Sequence, residues 1–184
     1  MDWIQKAFII EHHERRAVFW AFSYFFSLLC SYYILRPVRD EMGILGGVEN
    51  LQWVFTATFV VMLIAIPIFG GAVKRFTRHV LLPGVYYFFA LNLFIFFYFF
   101  HYEIAIETTA RIFFVWLSVF NLFVVSVFWS FMADLFNHEQ AKRLFACIAV
   151  GGSIGAILGP LITATLAKPL GTTNLLLISI AFLS

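Results

Sequence analysis

The stretch VLLPGVYYFFALNLFIFFYFF, residues 80–100, runs without a single Asp, Glu, Lys, Arg or His. A helix rises 1.5 Å per residue, so crossing the ~30 Å hydrocarbon core of a bilayer takes about 20 apolar residues. The stretch meets that length and has no polar face to show to water. A surface helix of a soluble domain would carry one. It therefore reads as a membrane span, and the same measure picks out four more: about 17–35, 53–73, 112–133 and 144–167. A sixth apolar run begins near 173 and is still apolar at 184, long enough for about half a bilayer. The expected fold is an all-α membrane protein with its sixth helix truncated.

Composition agrees. The chain is 62% hydrophobic and 12% charged, with 25 Phe and a mean hydropathy of +0.93. Soluble domains carry about 25% charged residues because their surfaces meet water. No basic stripe interleaved with aromatics points to a nucleic-acid polymer. Cys30 and Cys147 fall inside apolar runs, with neither disulfide nor metal-ligand spacing. The first apolar run ends in Leu35-Arg36-Pro37 rather than in a small-residue cleavage site, so it is expected to be retained as a span.

The short loops orient the chain. With the N-terminus inside, the inner set is Lys6, Arg15, Arg16, Lys74, Arg75, Arg78, Lys142 and Arg143, against Arg36, Arg39, Arg111 and Lys168 outside. The excess of inner cations predicts a cytoplasmic N-terminus. Residues 1–16 form either an amphipathic helix on the inner interface, with Trp3, Ile4, Ala7 and Phe8 on one face, or a partly ordered tail. An internal repeat is not legible: Phe19-Trp20-Ala21-Phe22 and Phe128-Trp129-Ser130-Phe131 look alike but sit at opposite ends of their runs.

Several motifs interrupt the apolar background. Gly151, Gly155 and Gly159 recur every four residues, followed by Pro160, Thr163 and Ala167. Residues four apart share a helical face, so the fifth span carries a nearly flat ridge suited to close helix packing. Pro160 removes one backbone donor there and predicts a bend. Ser23, Ser27, Cys30 and Ser31 form a similar small stripe in the first span. At its end, Arg36 and Arg39 lie three apart beside Asp40. On a continuing helix the two guanidiniums share a face, where they can hold an anion; on a helix end they simply reach into the headgroups. Asn121, with Ser118, puts a polar patch in the fourth span, either as packing glue or as lining of a solute pathway. His138-Glu139 lacks the second His of a zinc-protease helix, and no Ser-His-Asp set can be assembled. No enzymatic activity, cofactor or metal is expected.

Two further stretches carry a resemblance. Phe69-Gly70-Gly71-Ala72-Val73-Lys74-Arg75-Phe76-Thr77-Arg78 resembles the signature loop of the major facilitator superfamily, with Gly70, Arg75 and Arg78 matching and Lys74 where Asp is usual. Gly155 to Pro160 resembles the first part of that superfamily's antiporter motif, with Thr163-Ala164 where Gly-Gly is usual. The chain is most similar to the ATP/ADP exchange carriers of plastids and intracellular bacteria. Ile34, Leu35, Arg36 and Asp40 match the end of their first helix, with Arg39 in place of Lys. Phe128-Trp129-Ser130-Phe131, Ala141-Lys142-Arg143, Phe145 and Gly151 match their fourth helix and the loop after it. Their Glu early in helix four has no counterpart between Ile112 and Ser130.

The resemblance implies the N-terminal six-helix half of a major-facilitator-type transporter in a bacterial inner (plasma) membrane. Its partners would be the bilayer, a missing C-terminal half and an anionic solute such as a nucleotide. Arg36, Arg39, Asp40 and Asn121 are the expected solute-binding residues. Gly70, Arg75, Arg78, Gly151, Gly155, Gly159 and Pro160 are the expected gating and packing residues. The alternative is a membrane scaffold or assembly factor that transports nothing.

Overall fold

The computed structural model describes residues 11–183, with the backbone alone at Val48, Arg78 and His79. Six helices account for almost all of it: α1 Arg15–Leu45, α2 Leu51–Arg75, α3 Arg78–His101, α4 Ile106–Leu135, α5 His138–Leu170 and α6 Leu175–Leu183. A single 3-10 turn, Val48–Asn50, leads into α2, and no strand occurs among the described residues. Helices α1 to α5 are each long and apolar enough to cross a membrane. Helices satisfy their own backbone groups, so they tolerate a solvent that offers no hydrogen bonds. The chain is a multi-pass membrane protein.

Hydropathy underestimates the helices at both ends. α1 continues to Leu45 rather than stopping near Leu35, and α5 runs Asn137-capped from His138 to Leu170 rather than 144–167. Apolar runs mark the part of a helix fit for lipid, whereas backbone hydrogen bonding carries the helix on into water. At the start of α5 the reason is local. The Asn137 side chain accepts from the Gln140 backbone N–H at 2.9 Å, and the Gln140 side chain accepts from the Asn137 N–H at 3.1 Å. This reciprocal box satisfies two otherwise orphaned donors. Of the N-terminal segment 1–16, residues 1–10 lie outside the described residues. His12 to Glu14 form a turn, and helix begins at Arg15.

α1 is the hub. It packs most extensively on α5 and also on α4 and α6; α4 in turn holds α2 and α3, and α3 touches α6. Contacts of α2 with α3, and of α5 with α6, are marginal. This pattern has a symmetry that the residues conceal. Exchange α1 with α4, α2 with α5 and α3 with α6, and every pair that packs maps onto a pair that packs. α1–α5 becomes α4–α2, α1–α6 becomes α4–α3, and α1–α4 and α3–α6 map onto themselves. Connections of five residues or fewer reverse the chain between spans. Three reversals separate α1 from α4, so the second triplet runs inverted relative to the first.

The two equivalent interfaces are packed very differently. In α5 a Cβ built on Gly151 would stand 2.6 Å from the Phe22 carbonyl oxygen, and one on Gly155 2.5 Å from that of Phe26. One on Gly159 would stand 2.7 Å from the Tyr33 Cβ. Backbone meets backbone along this ridge, as small residues permit in lipid, where dispersion rather than hydrophobicity holds helices together. Thr163, next on the ridge, donates to the Ile34 carbonyl at 2.9 Å. That carbonyl neighbours the Tyr33 carbonyl, which Pro37 deprives of its helical donor. On α2, by contrast, only Val54 and Ala65 are buried, and it leans on α4 through larger side chains such as Phe55 and Phe69.

Between α3 and α4 the contact is aromatic. Phe89, Phe96 and Phe100 meet Phe113, Trp116 and Phe120 mostly edge to face, at centroid distances such as 5.1 Å for Phe96–Phe113 and Phe89–Phe120. Each such pair adds ~0.5–1.5 kcal/mol beyond burial. Buried Ser31 and Ser179 hydroxyls lie 2.7 Å apart and tie α6 to α1.

Candidate functional site

Toward its C-terminal end α1 passes unbroken through Pro37, so Tyr32, Arg36, Arg39 and Asp40 stand on one continuous helix. Arg39 is held on two sides. Its Nε and Nη2 donate to Asp40 Oδ1 at 3.1 and 2.9 Å, and its guanidinium carbon sits 4.7 Å from the ring centroid of Phe114 on α4. The side chain is only 19% exposed, so most of its rotamer freedom is already spent within the protein. Arg36 is exposed and lies 5.7 Å from the Tyr33 ring centroid.

The chemistry of this arrangement is asymmetric. Arg39 is oriented by an acid on one side and an aromatic face beneath it, whereas Arg36 is exposed. A guanidinium held in this way would lose little freedom on meeting an anion.

Asn121 is not part of this cluster. It is half-buried on α4, on the same helical face as Phe114 and seven residues deeper, or roughly 10 Å along the axis. It makes no hydrogen bond to either arginine among the described residues. Ser118, between them, donates to the Phe114 carbonyl at 3.3 Å. The polar patch thus sits below the arginines.

The residues expected at the opposite end divide. Gly70 lies inside α2 rather than in a loop, since the helix runs to Arg75 and only Phe76 and Thr77 precede α3. A Cβ on Gly70 would meet nothing within 4 Å, so no close backbone approach requires glycine there. Lys74 and Arg75 are exposed, and Arg78 opens α3. α5 continues as helix through Pro160.

One cluster at this end was not legible beforehand. Glu14, 3% exposed, caps the start of α1 and reaches across to the start of α5. Its Oε1 accepts from Gln140 Nε2 at 2.9 Å and from Arg143 Nη2 at 3.1 Å, while Oε2 accepts from the Glu11 backbone N–H at 3.1 Å. The carboxyl is held below the ordinary carboxylate range, chiefly by the Glu11 N–H. Burial opposes this, and Gln140, Arg143 and His13 assist. Residues 129 apart share no sequence spacing, and the Asn137-x-x-Gln140 box was the only local hint.

No family model matches this chain, and neither a characterised protein nor a solved structure matches it. The reading of the site rests on its own geometry.

Proposed function

We propose that the chain forms the six-helix half of a secondary-active carrier that moves an anionic solute by alternating access. The observation that carries this reading is the helix-contact pattern, unchanged when α1–α3 are exchanged with α4–α6. Inverted triplets of this kind build carriers whose solute site lies at the repeat interface and whose halves rock about it. α1 and α4 meet each other across that interface, and they supply Arg39 and its Phe114 platform.

In the mechanism, Arg39 is the fixed contact for the anion and Arg36 the closing one. Asp40 competes with the solute for Arg39 and keeps the bound state shallow enough to empty. Asn121, deeper on α4, offers a neutral amide along the path. The Gly151–Gly155–Gly159 ridge is the surface on which α5 slides against α1, and Arg75, Arg78, Lys142 and Arg143 line the cytoplasmic end. A second six-helix half completes the carrier, and an organic anion or nucleotide is its solute, exchanged across a bacterial inner membrane.

The test is anion exchange in proteoliposomes carrying the full-length gene product, with labelled nucleotides and dicarboxylates as solutes. Arg39→Ala is expected to lower exchange by about tenfold or more, the effect of one lost charge-assisted hydrogen bond. Arg39→Lys keeps charge without the fork and is expected to fall between. Exchange that survives both Arg36→Ala and Arg39→Ala unchanged removes these residues from the solute path.

A further inference from the structure

The weak partner of the tight α1–α5 interface leaves a space. α2 and α3 barely touch, and the face of α4 between them is left open as a groove of about 970 Å³. Its walls are apolar along Val54, Val61, Val115, Val119 and Phe123. Among the described residues one end is polar. There Arg111, Asn50 and Trp53 form the mouth, beside the α1–α2 turn.

The geometry points to an anionic phospholipid as the resident of this groove, its phosphate on Arg111 and an acyl chain along α4. Three observations converge on that occupant. The first is charge: among the described residues that line it, Arg111 is the one charged side chain, at one end of an otherwise apolar channel, which is the pattern of an amphiphile with one anionic head. Arg111 is fixed for the task. Its Nε donates to the Gly46 carbonyl and its Nη2 lies 3.5 Å from Glu107 Oε2, while Nη1 makes no hydrogen bond to the described residues. The second is reach. From the Arg111 end the apolar lining continues past Phe123 to Phe76, Val80 and Leu81 at the α2–α3 turn, so an acyl chain spanning half a hydrocarbon core, ~15 Å, is accommodated along its whole length. The third is an aromatic at interfacial depth. Trp116 also lines the groove, about 7.5 Å along the helix below Arg111, where the amphipathic ring of a tryptophan favours the headgroup level of a bilayer.

A soluble anion would leave the apolar walls unfilled, and a neutral lipid would offer nothing to the Nη1 edge of Arg111 that Gly46 and Glu107 leave open. The second guanidinium contact in this part of the chain, Glu107, is 71% exposed and competes for the same cation. It sets a testable sign.

The experiment is tryptophan quenching of the full chain in detergent by phosphatidylglycerol brominated on its acyl chains. Phosphatidylcholine with the same chains is the reference. Trp53 and Trp116 line the groove, and the signal belongs to the groove where Trp53→Phe with Trp116→Phe removes it. Phosphatidylglycerol is expected to quench at about fivefold lower mole fraction than phosphatidylcholine, the contribution of one interfacial cation. Arg111→Gln is expected to bring the two lipids level. Glu107→Gln, on an exposed side chain, is expected to widen the preference, and it serves where Arg111→Gln does not fold. Equal quenching by the two lipids in the wild type overturns the proposal. A preference that Glu107→Gln fails to widen, or that Arg111→Gln leaves intact, overturns it as well.

Discussion

Glu14 is the residue on which two helix starts converge, and its charge state is what holds them. Its folded pKa lies below the ordinary value of 4.5, so the ionised form is the one the fold prefers. Such a group contributes fully at neutral pH and loses its contribution as pH falls through the folded pKa. Glu14→Gln is therefore expected to lower the thermal unfolding midpoint in detergent at pH 7. The gap is expected to close as the pH falls below the ordinary 4.5 and on through the lowered folded pKa, where the wild-type carboxyl protonates as well. A variant as stable as the wild type at pH 7 would show that Arg143 and Gln140 do not depend on this charge. The contrast with Arg36, Arg39 and Asp40 is instructive. Those three lie within five positions, and a helical period already puts them on one side. Glu14 and Arg143 meet only because α1 and α5 pack side by side, and no short-range rule reports that.

At the scale of the element, small residues separate into two kinds by what lies opposite them. Gly155→Ala would drive a Cβ against the Phe26 carbonyl oxygen at 2.5 Å and the Cys30 backbone nitrogen at 2.9 Å, atoms that cannot turn aside. The helices must part, at a cost of ~1–3 kcal/mol. Gly70→Ala meets nothing within 4 Å on α2 and is expected to stabilise by ~0.5–1 kcal/mol through helix propensity. Unfolding of the two variants in mixed detergent and denaturant tests both signs, and equal effects would mean that the α5 ridge does not touch α1. The ridge was legible from its four-residue spacing. That α1 is its partner was not, and neither was the open space around Gly70. Both depend on which helix lies alongside.

Across the whole molecule, the inverted arrangement of two helix triplets coexists with unequal packing of the equivalent interfaces. Half of the α1 span is buried within the bundle, against 11% of the α2 span, so the bundle has a firm side and a loose one. Regions with few buried contacts open first. Hydrogen exchange in mild detergent is expected to release α2 amides earliest, and those of α1 and α5 last. Protection of α2 equal to that of α5 would contradict the looseness assigned to it and, with it, the open groove.

That this chain is helical and membrane-spanning is already written in its residues, because lipid demands long runs without charge and leaves few other ways to satisfy a backbone. They also locate the paired arginines and the glycine ridge, since both follow from the period of a single helix. Which helices are neighbours emerged only with the packed bundle. From that came the matching contact pattern of the two triplets, the Glu14–Arg143 link, the Phe114 seat under Arg39 and the groove beside Arg111. These depend on contacts between residues far apart in the chain, and in a chain so uniformly apolar many pairings satisfy the same pattern. Shape at the interfaces selects among them, and shape appears only once the helices are packed.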